Sequence, residues 1–381
     1  MLLVLILTIV FGVIILTEKL YYIKHWDEGL SLDLEFEKDH IFRGEKSVLK
    51  ERITNTGKLP LPMVRIKFQA DRKLEFIDAD ANATITDKYY RNDVFSIRGQ
   101  ERITRNIPFV GSHRGYFVLN SADAVSADLF LTGHYVTVFD ESTSVFVYPM
   151  PFESEQFSRY LAGISGEVSS KRNLMTDPFE MAGIRPYMDG DDVRIINHQA
   201  SARGQGLMVN TYGYTNELRA NVYVNCEDDG IFKRRKAVEK SFDIAVSLLK
   251  HLNSLGVAAG LRCNGVSMFC GEDEREIRPT LVEPASGVEQ FDEVCRNLAL
   301  IDMEKPVLSF GECFGEELKH SDGDVLNFII SPNSYEDFTG LLDEIKNAGK
   351  SFTWFYPYEG DSIPEVKESL KKCVRPIRAD M

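Results

Sequence analysis

The hydrophobic period of this chain changes once, near residue 150, and that change restricts the fold more than any single motif does. From Leu30 to about Tyr148 apolar and polar residues alternate: Asp33 and Glu35 separate Leu32, Leu34 and Phe36, and Arg65 and Lys67 separate Val64, Ile66 and Phe68. A period of two belongs to half-buried strands, and turn formers such as Asn55-Thr56-Gly57 separate the runs. Residues 29–150 are therefore expected to be all-β, a sandwich of immunoglobulin-like size with later strands at Gly115–Leu119 and Ser144–Tyr148. After residue 216 short apolar runs alternate with helical spacing. Phe242, Ala245, Leu249, Leu252 and Leu255 share one face of a helix beginning near Phe232, and further helices are expected at 287–300, 335–348 and 363–373. Strands fit 218–226, 257–263, 325–330 and 352–356, so 216–381 is expected to be an α/β domain with a mostly parallel sheet covered by helices on both faces. The intervening 151–215 reads as a linker, with Pro151 to Arg172 a Ser- and Gly-rich loop containing one helical turn.

Ahead of the strands, Met1 to Leu16 carries no charged side chain. At about 1.5 Å per residue this run covers roughly 24 Å, short of the ~30 Å hydrocarbon core. Extension through Ile23, with Glu18 and Lys19 snorkelling, makes residues 1–23 a transmembrane anchor and sets Tyr21, Tyr22 and Trp26 at the level of an interfacial aromatic belt. A cleaved signal peptide wants a positive leading segment and a small-x-small cleavage site, and Thr17-Glu18-Lys19-Leu20 offers neither. Lys19 and Lys24 follow the span, so the positive-inside bias puts the bulk of the chain in the cytoplasm. A formal charge of −14 makes nucleic acid a poor partner, since polyphosphate binding begins from clustered Lys and Arg. The six cysteines form no C-x-x-C pair and have no histidines at zinc spacing, which fits a reducing compartment.

The densest pattern lies between the two regions. Asp189-Gly190 reads as a turn, Asp191 or Asp192 can cap a short helical segment, and Arg185, Arg194 and Arg203 can bridge carboxylates bidentately. With His198 these residues include every type needed for acid/base work, but acids and arginines that pair with one another have no group left to transfer a proton, so a structural role is expected. Gly183, Arg185, Tyr187, Gly190, Asp191, Asp192, Arg194, Ile196, Ser201, Ala202 and Arg203 stand at the positions of a G-x-R-x-Y-x-x-G-D-D-x-R-x-I-x-W-x-x-S-A-R pattern. In this the chain resembles the bacterial domain-of-unknown-function family fifty-eight. His198 replaces the family's Trp and is expected to fill its packing slot. A second stretch, from Arg114-Gly115-Tyr116 to Ser126-Ala127-Asp128-Leu129-Phe130, is similar to the element that closes the family's sandwich. The resemblance implies a membrane-anchored protein with a C-terminal von Willebrand factor A-like, Rossmann-type domain. It also implies a partner, a MoxR-type AAA+ ATPase, and a task in assembly or maturation of other proteins.

In open parallel sheets ligands collect beyond the carboxyl ends of the strands, which directs attention to Asn225-Cys226-Glu227-Asp228-Asp229. The resemblance implies a D-x-S-x-S metal-ion-dependent adhesion site in this loop; here its offsets hold Asn225, Glu227 and Asp229. Two readings stay open. One is a rebuilt Mg²⁺ or Ca²⁺ site with Glu227 and Asp229 as ligands and Asn225 as a neutral donor; the other is a degenerate site whose acids are solvated or paired with Lys233-Arg234-Arg235-Lys236. Cys226 lacks the G-x-[SC]-x-G frame of a nucleophile elbow, and strand parity turns it from the side shared by Asn225 and Glu227. Neither a G-x-x-x-x-G-K-[ST] loop nor an H-E-x-x-H helix occurs, so no enzyme class is supported. The expectation is a non-enzymatic, membrane-anchored interaction protein. The alternative, an exported divalent-metal-dependent adhesion or cell-wall-associated binding protein, requires the opposite topology.

Overall fold

The computed structural model describes residues 1–77, 83–85, 89–128, 130, 133–140, 142–174, 176–204, 206–214, 218–228, 234–270, 277–361, 363 and 365–379. The chain divides into two compact units, Met1–Met150 and Pro151–Met381.

The first unit opens with α1 (Leu2–His25), an apolar helix with a mean hydropathy of 2.4 that is long enough to cross a membrane and none of whose most apolar stretch is buried. Strands follow: β1 (Leu30–Phe36), β2 (His40–Phe42), β3 (Lys46–Asn55), β4 (Leu61–Ala70), β5 (Leu74–Phe76), β6 (Ala83–Ile85), β7 (Tyr89–Ile97), β8 (Glu101–Gly111), β9 (Gly115–Leu119), β10 (Ala122–Ala127), β11 (His134–Phe139) and β12 (Thr143–Tyr148). Among the described residues they form three sheets, ordered β1-β3-β8-β5, β11-β10-β4-β7-β6 and β2-β12-β9, with antiparallel neighbours except for β2 and β12. The alternation read from the sequence is the alternation of burial: Leu32, Leu34 and Phe36 point inward on β1, and Val64, Ile66 and Phe68 on β4. These side chains meet Leu49, Ile53, Ile107 and Phe109 in one core. Phe109 is fully buried, edge-on to Phe36 at 5.3 Å, and burial of such a ring stabilises by about 1.5–3 kcal/mol.

Polar residues break the inward pattern of β3 at Ser47, Glu51 and Asn55, and of these Glu51 is the ionisable one. Glu51 on β3 is buried, and the groups near it are Arg105 at 3.9 Å and the buried pair of Arg91 with Asp93; Arg105 also reaches Asp93 at 3.1 Å. Burial, with the Asp93 charge adding to it, pushes the Glu51 carboxyl up to about 7 against the pull of both arginines.

The aromatic belt is corrected. Tyr22 and Trp26 are buried in protein: Tyr22 Oη lies 2.8 Å from Ser126 Oγ, and the Tyr22 and Trp26 rings pack on Tyr135. Tyr21 alone of the three is exposed. Ile15, Glu18 and Lys19 are half-buried on the same side of α1, since residues three and four apart share a helix face.

The second unit begins with α2 (Glu155–Leu174), a full helix where the Ser- and Gly-rich sequence predicts a loop with a single turn. Phe157, Ile164 and Val168 recur at helical spacing and are all buried, and that burial outweighs the helix-weakening Gly163 and Gly166. Next come β13 (Thr176–Pro186), α3 (His198–Ser201) and β14 (Met208–Tyr214), followed by β15 (Arg219–Val224), α4 (Arg235–Ser254), β16 (Ala258–Cys263), β17 (Thr280–Ala285) and α5 (Val288–Leu300). The unit ends with α6 (Phe310–His320), β18 (Val325–Ile330), α7 (Glu336–Asn347), β19 (Thr353–Tyr358) and β20 (Val374–Arg378). The main sheet is ordered β17-β16-β15-β18-β19-β20, parallel except for the antiparallel edge β17. From β15 the chain passes through α4 to β16 and later returns across β15 to β18, so right-handed crossovers put α4 and α6 on opposite faces. Helices α6 and α7 cover Tyr223, Ile329, Trp354 and Tyr356, while Phe157 of α2 packs edge-on against Phe355 of the other face. The expected helix at 363–373 is instead a 3-10 turn at Glu368–Leu370 leading into β20. Leu370 is the one buried residue described between Glu365 and Lys372, too narrow an apolar face to seat a helix.

Candidate functional site

The motif residues and the strand-end loop each form a definite structure. Strands β13 and β14 pair antiparallel as a separate two-stranded arm, joined through a 3-10 turn at Val193–Ile195 and α3. Arg185 donates from Nη1 and Nη2 to the two Asp191 carboxylate oxygens, both at 2.7 Å. The Met188 amide also donates to Asp191, and the Tyr187 hydroxyl donates to the Asp191 carbonyl. The Arg185 hydrogen bonds and then the Met188 amide hold the Asp191 carboxyl down at about 2. Gly190 sits at φ +103°, in the backbone region glycine tolerates and other residues resist. Asp192 caps the 3-10 turn by accepting from the Arg194 amide, and Asn197 caps α3 by accepting from the Ala200 amide. Ser201 donates to the Asn197 carbonyl and accepts from the Met208 amide, tying α3 to β14. Gly183 faces Thr211 so closely that a Cβ there would lie 3.2 Å from Oγ1.

Two expectations fail in this arm. Among the described residues neither Arg194 nor Arg203 pairs with a carboxylate, and both are exposed; Arg185 alone forms the bidentate bridge. His198 is exposed at the start of α3 and fills no packing slot. Between Met181 and Tyr212 the arm buries only Val209 among the described residues, while Met181, Ile184, Met188, Val193 and Leu207 stand in solvent. The backbone is thus fixed by polar contacts, and the large apolar side chains are left on the outside.

The second place lies beyond the carboxyl ends of β15, β16 and β18, where strand order reverses. Asn225, Asn264 and Ser331 each directly follow one of these strands, and all three are fully buried. Asn225 donates from Nδ2 to Ser331 Oγ at 3.1 Å and to Glu227 Oε2 at 3.2 Å. Its Oδ1 accepts from Asn264 Nδ2 and from the Glu227 amide, both at 2.9 Å. Asn264 also donates to the Leu308 carbonyl and accepts from the Cys226 amide, and Glu227 Oε1 accepts from the Phe310 amide at the start of α6.

These contacts test the loop as a cation site. Both donors and both acceptor positions of the Asn225 amide are taken by protein, leaving no lone pair for a metal. Glu227 is turned onto the α6 N-terminus, where an anion is stabilised by the helix dipole. Asp229 and Lys233 lie outside the described residues, so the third oxygen of the expected set has no described place. Asp228, which the D-x-S-x-S offsets skip, accepts from the Arg234 amide and lies 3.8 Å from Arg234 Nε; Glu359 accepts from the Ala237 amide. Two carboxylates therefore meet the start of α4, where the basic run Arg234-Arg235-Lys236 is unfavourable to the dipole. Among the described residues no three His, Cys, Asp or Glu side chains are grouped so as to hold a metal. Asn225 and Glu227 as placed do not fit an Mg²⁺ or Ca²⁺ site. Cys226 is buried with its sulfur 3.5 Å from that of Cys263, inaccessible to a substrate.

Sequence reasoning missed Asn264 and Ser331. Their signal is positional: each is a polar residue immediately after an apolar parallel strand, as Asn225 is.

No family model matches the chain, and no curated protein matches it. Among solved structures it is similar to a non-cellulosomal cohesin from the archaeon Archaeoglobus fulgidus, at 12% identity over 34% of this chain and 97% of that one, with a TM-score of 0.23. A type I cohesin from Pseudobacteroides cellulosolvens shares 15% identity over 32% of this chain and 97% of its own, with a TM-score of 0.21. A CARDB domain from Pyrococcus furiosus, solved with di-metal ions, shares 14% over 32% and 94%, with a TM-score of 0.20. At these TM-scores none of the three likenesses bears on function.

Proposed function

We propose that this chain is a non-enzymatic interaction protein, held at a membrane by α1 and presenting the β13–β14 arm to a protein partner. The observation that carries the reading is the arm itself. A bidentate Arg185–Asp191 bridge and two capped turns order it, yet five large apolar side chains lie exposed along it. Large apolar side chains held exposed on an ordered frame favour a binding role, because a partner that covers them gains buried area without ordering the frame. The candidate nucleophile Cys226 is sealed, and the acids at the strand ends serve as helix caps and amide partners, which supports binding over turnover.

The finer identities follow the same support. The β17-β16-β15-β18-β19-β20 order is that of a doubly wound sheet whose strand order reverses beside its first strand, which supports a Rossmann-type, von Willebrand factor A-like domain. Paired antiparallel sheets around one core support an immunoglobulin-like sandwich. The motif resemblance assigns the partner to the MoxR-type AAA+ ATPases and the task to assembly or maturation of other proteins. The test is affinity capture of the full chain from a detergent extract, beside Met188→Asp and Val193→Asp variants. Recovery of an AAA+ ATPase with wild type and its loss with the variants supports the reading; wild type recovering none counts against the assigned partner.

The charges after the span, Lys19 and Lys24 against Glu18, Asp27 and Glu28, keep an exported binding protein as the second reading. A periplasm-active reporter fused to the C-terminus separates the two, since activity places the bulk of the chain outside the cytoplasm.

A further inference from the structure

The β10–β11 hairpin runs along α1 rather than away from it. At its base Ser126 Oγ meets Tyr22 Oη at 2.8 Å and donates to the Met63 carbonyl, while Tyr135 packs on Tyr22 and Trp26. At its tip the Phe130 ring lies edge-on to Phe11 of the same helix, with centroids 6.2 Å apart and planes at 79°. Tyr22 to Phe11 spans about 16 Å of helix, and Ser126 and Phe130, four residues apart in sequence, meet its two ends. Ser126 and Phe130 therefore meet α1 at two levels, Phe130 at the one nearer the helix N-terminus.

A polar band crosses this contact partway down. Glu18 and Lys19 are the first charged residues after the apolar run of α1, and the buried Asp128 lies two residues before Phe130. Phe11 is about 10 Å beyond Glu18 along the helix, a depth that belongs to hydrocarbon once α1 is in a bilayer. Phe130 remains 44% exposed at this depth, and the sequence from Leu129 to Gly133 carries no charge. An aromatic ring beside a membrane helix, past the last charges, has acyl chains as its neighbours.

We propose that the β10–β11 tip is a second membrane-contact point: Phe130 enters the acyl layer beside α1 and restricts the tilt of the sandwich on the bilayer. The inference rests on the reading that α1 spans the membrane. With Tyr22 and Trp26 packed on the sandwich, α1 and the sandwich tilt together, and a second inserted point beside the helix removes much of that shared freedom.

The test uses the full chain reconstituted in phosphatidylcholine vesicles, with and without lipids brominated along the acyl chains. Trp emission is read as the difference between each of Phe130→Trp, Phe11→Trp and Val136→Trp and the parent chain, which contains Trp26 and Trp354. Val136, 60% exposed on β11, reports on the sandwich surface. The expected result is strong quenching and a blue shift at positions 130 and 11, with neither at 136. Quenching at 11 without quenching at 130 overturns the second contact and leaves the anchor standing. Quenching at neither position overturns both. Equal quenching at 130 and 136 also overturns the proposal, because the sandwich then lies on lipid as a whole and the tip has no special part.

Discussion

Asn225→Asp separates a closed scaffold at the strand ends from a cation site, because the substitution restores the carboxylate that an adhesion-type metal loop would use. In the closed network the substitution replaces the Nδ2 donor with an oxygen that faces Glu227 Oε2 at 3.2 Å and Ser331 Oγ at 3.1 Å. Two donated bonds are lost, at about 1 kcal/mol each, although Ser331 can return one by turning its hydroxyl toward the new acceptor. Two carboxylates about 4 Å apart repel by up to ~4 kcal/mol at an effective dielectric near 20, and protonation of one relieves part of this. The net destabilisation is therefore about 3 kcal/mol. For a unit of this size that lowers Tm by about 6–12 °C, at roughly 2–4 °C per kcal/mol. Thermal unfolding of the full chain in detergent, followed by near-ultraviolet circular dichroism, reads it directly. If the loop were a cation site, Mg²⁺ or Ca²⁺ at 100 times its Kd would return about 2.7 kcal/mol, nearly the whole loss. A variant as stable as wild type, or a variant whose Tm recovers in millimolar Mg²⁺ or Ca²⁺, refutes the closed scaffold.

Other outcomes follow from single groups. The Glu51 carboxyl is raised from an ordinary value near 4.5 to about 7, so the folded state holds its proton where the unfolded chain has released it. Its contribution is full below pH 4.5 and is lost as pH rises through 7, by up to about 3 kcal/mol; Glu51→Gln should flatten that slope in urea unfolding, and an unchanged slope excludes Glu51 as its source. Arg185→Lys replaces a two-pronged bridge to Asp191 with a single point charge. Faster hydrogen exchange at the Met188 and Asp191 amides with little change in Tm is expected, and unchanged exchange means that the bridge does not order the arm. Phe157→Ala empties a fully buried site beside Phe152 and Phe355 and should cost about 3–5 kcal/mol; a loss below about 1 kcal/mol means that α2 does not rely on this anchor.

What the sequence made legible and what it hid divide along one line, the reach of the interaction that decides each element. Strands β1, β3 and β4 are readable because alternation is local: each inward residue lies two positions from the next, and neighbouring strands only confirm the facing. Helix α2 was hidden because Gly163, Gly166 and a run of serines suggest a loop, while its reason to exist is a sparse face whose buried members lie seven and four residues apart. Edge strand β17 was hidden for a related cause, since Pro284 in a strand of alternating burial reads as a turn until the position proves to be at the sheet margin, where an absent amide costs least. Tyr22 and Trp26 looked like membrane-interface residues because amphipathic rings suit that level equally well whether water, lipid headgroups or a sandwich lies beside them. At the strand ends the position of Asn225 was readable and its role was not. Its partners Asn264 and Ser331 are 39 and 106 residues away, and each becomes its neighbour only because β16 and β18 flank β15. A polar residue directly after an apolar parallel strand can thus be located from sequence alone. Whether it coordinates a ligand or closes the sheet depends on which other strands end beside it, and here two such strands end in an amide and a hydroxyl that close the network.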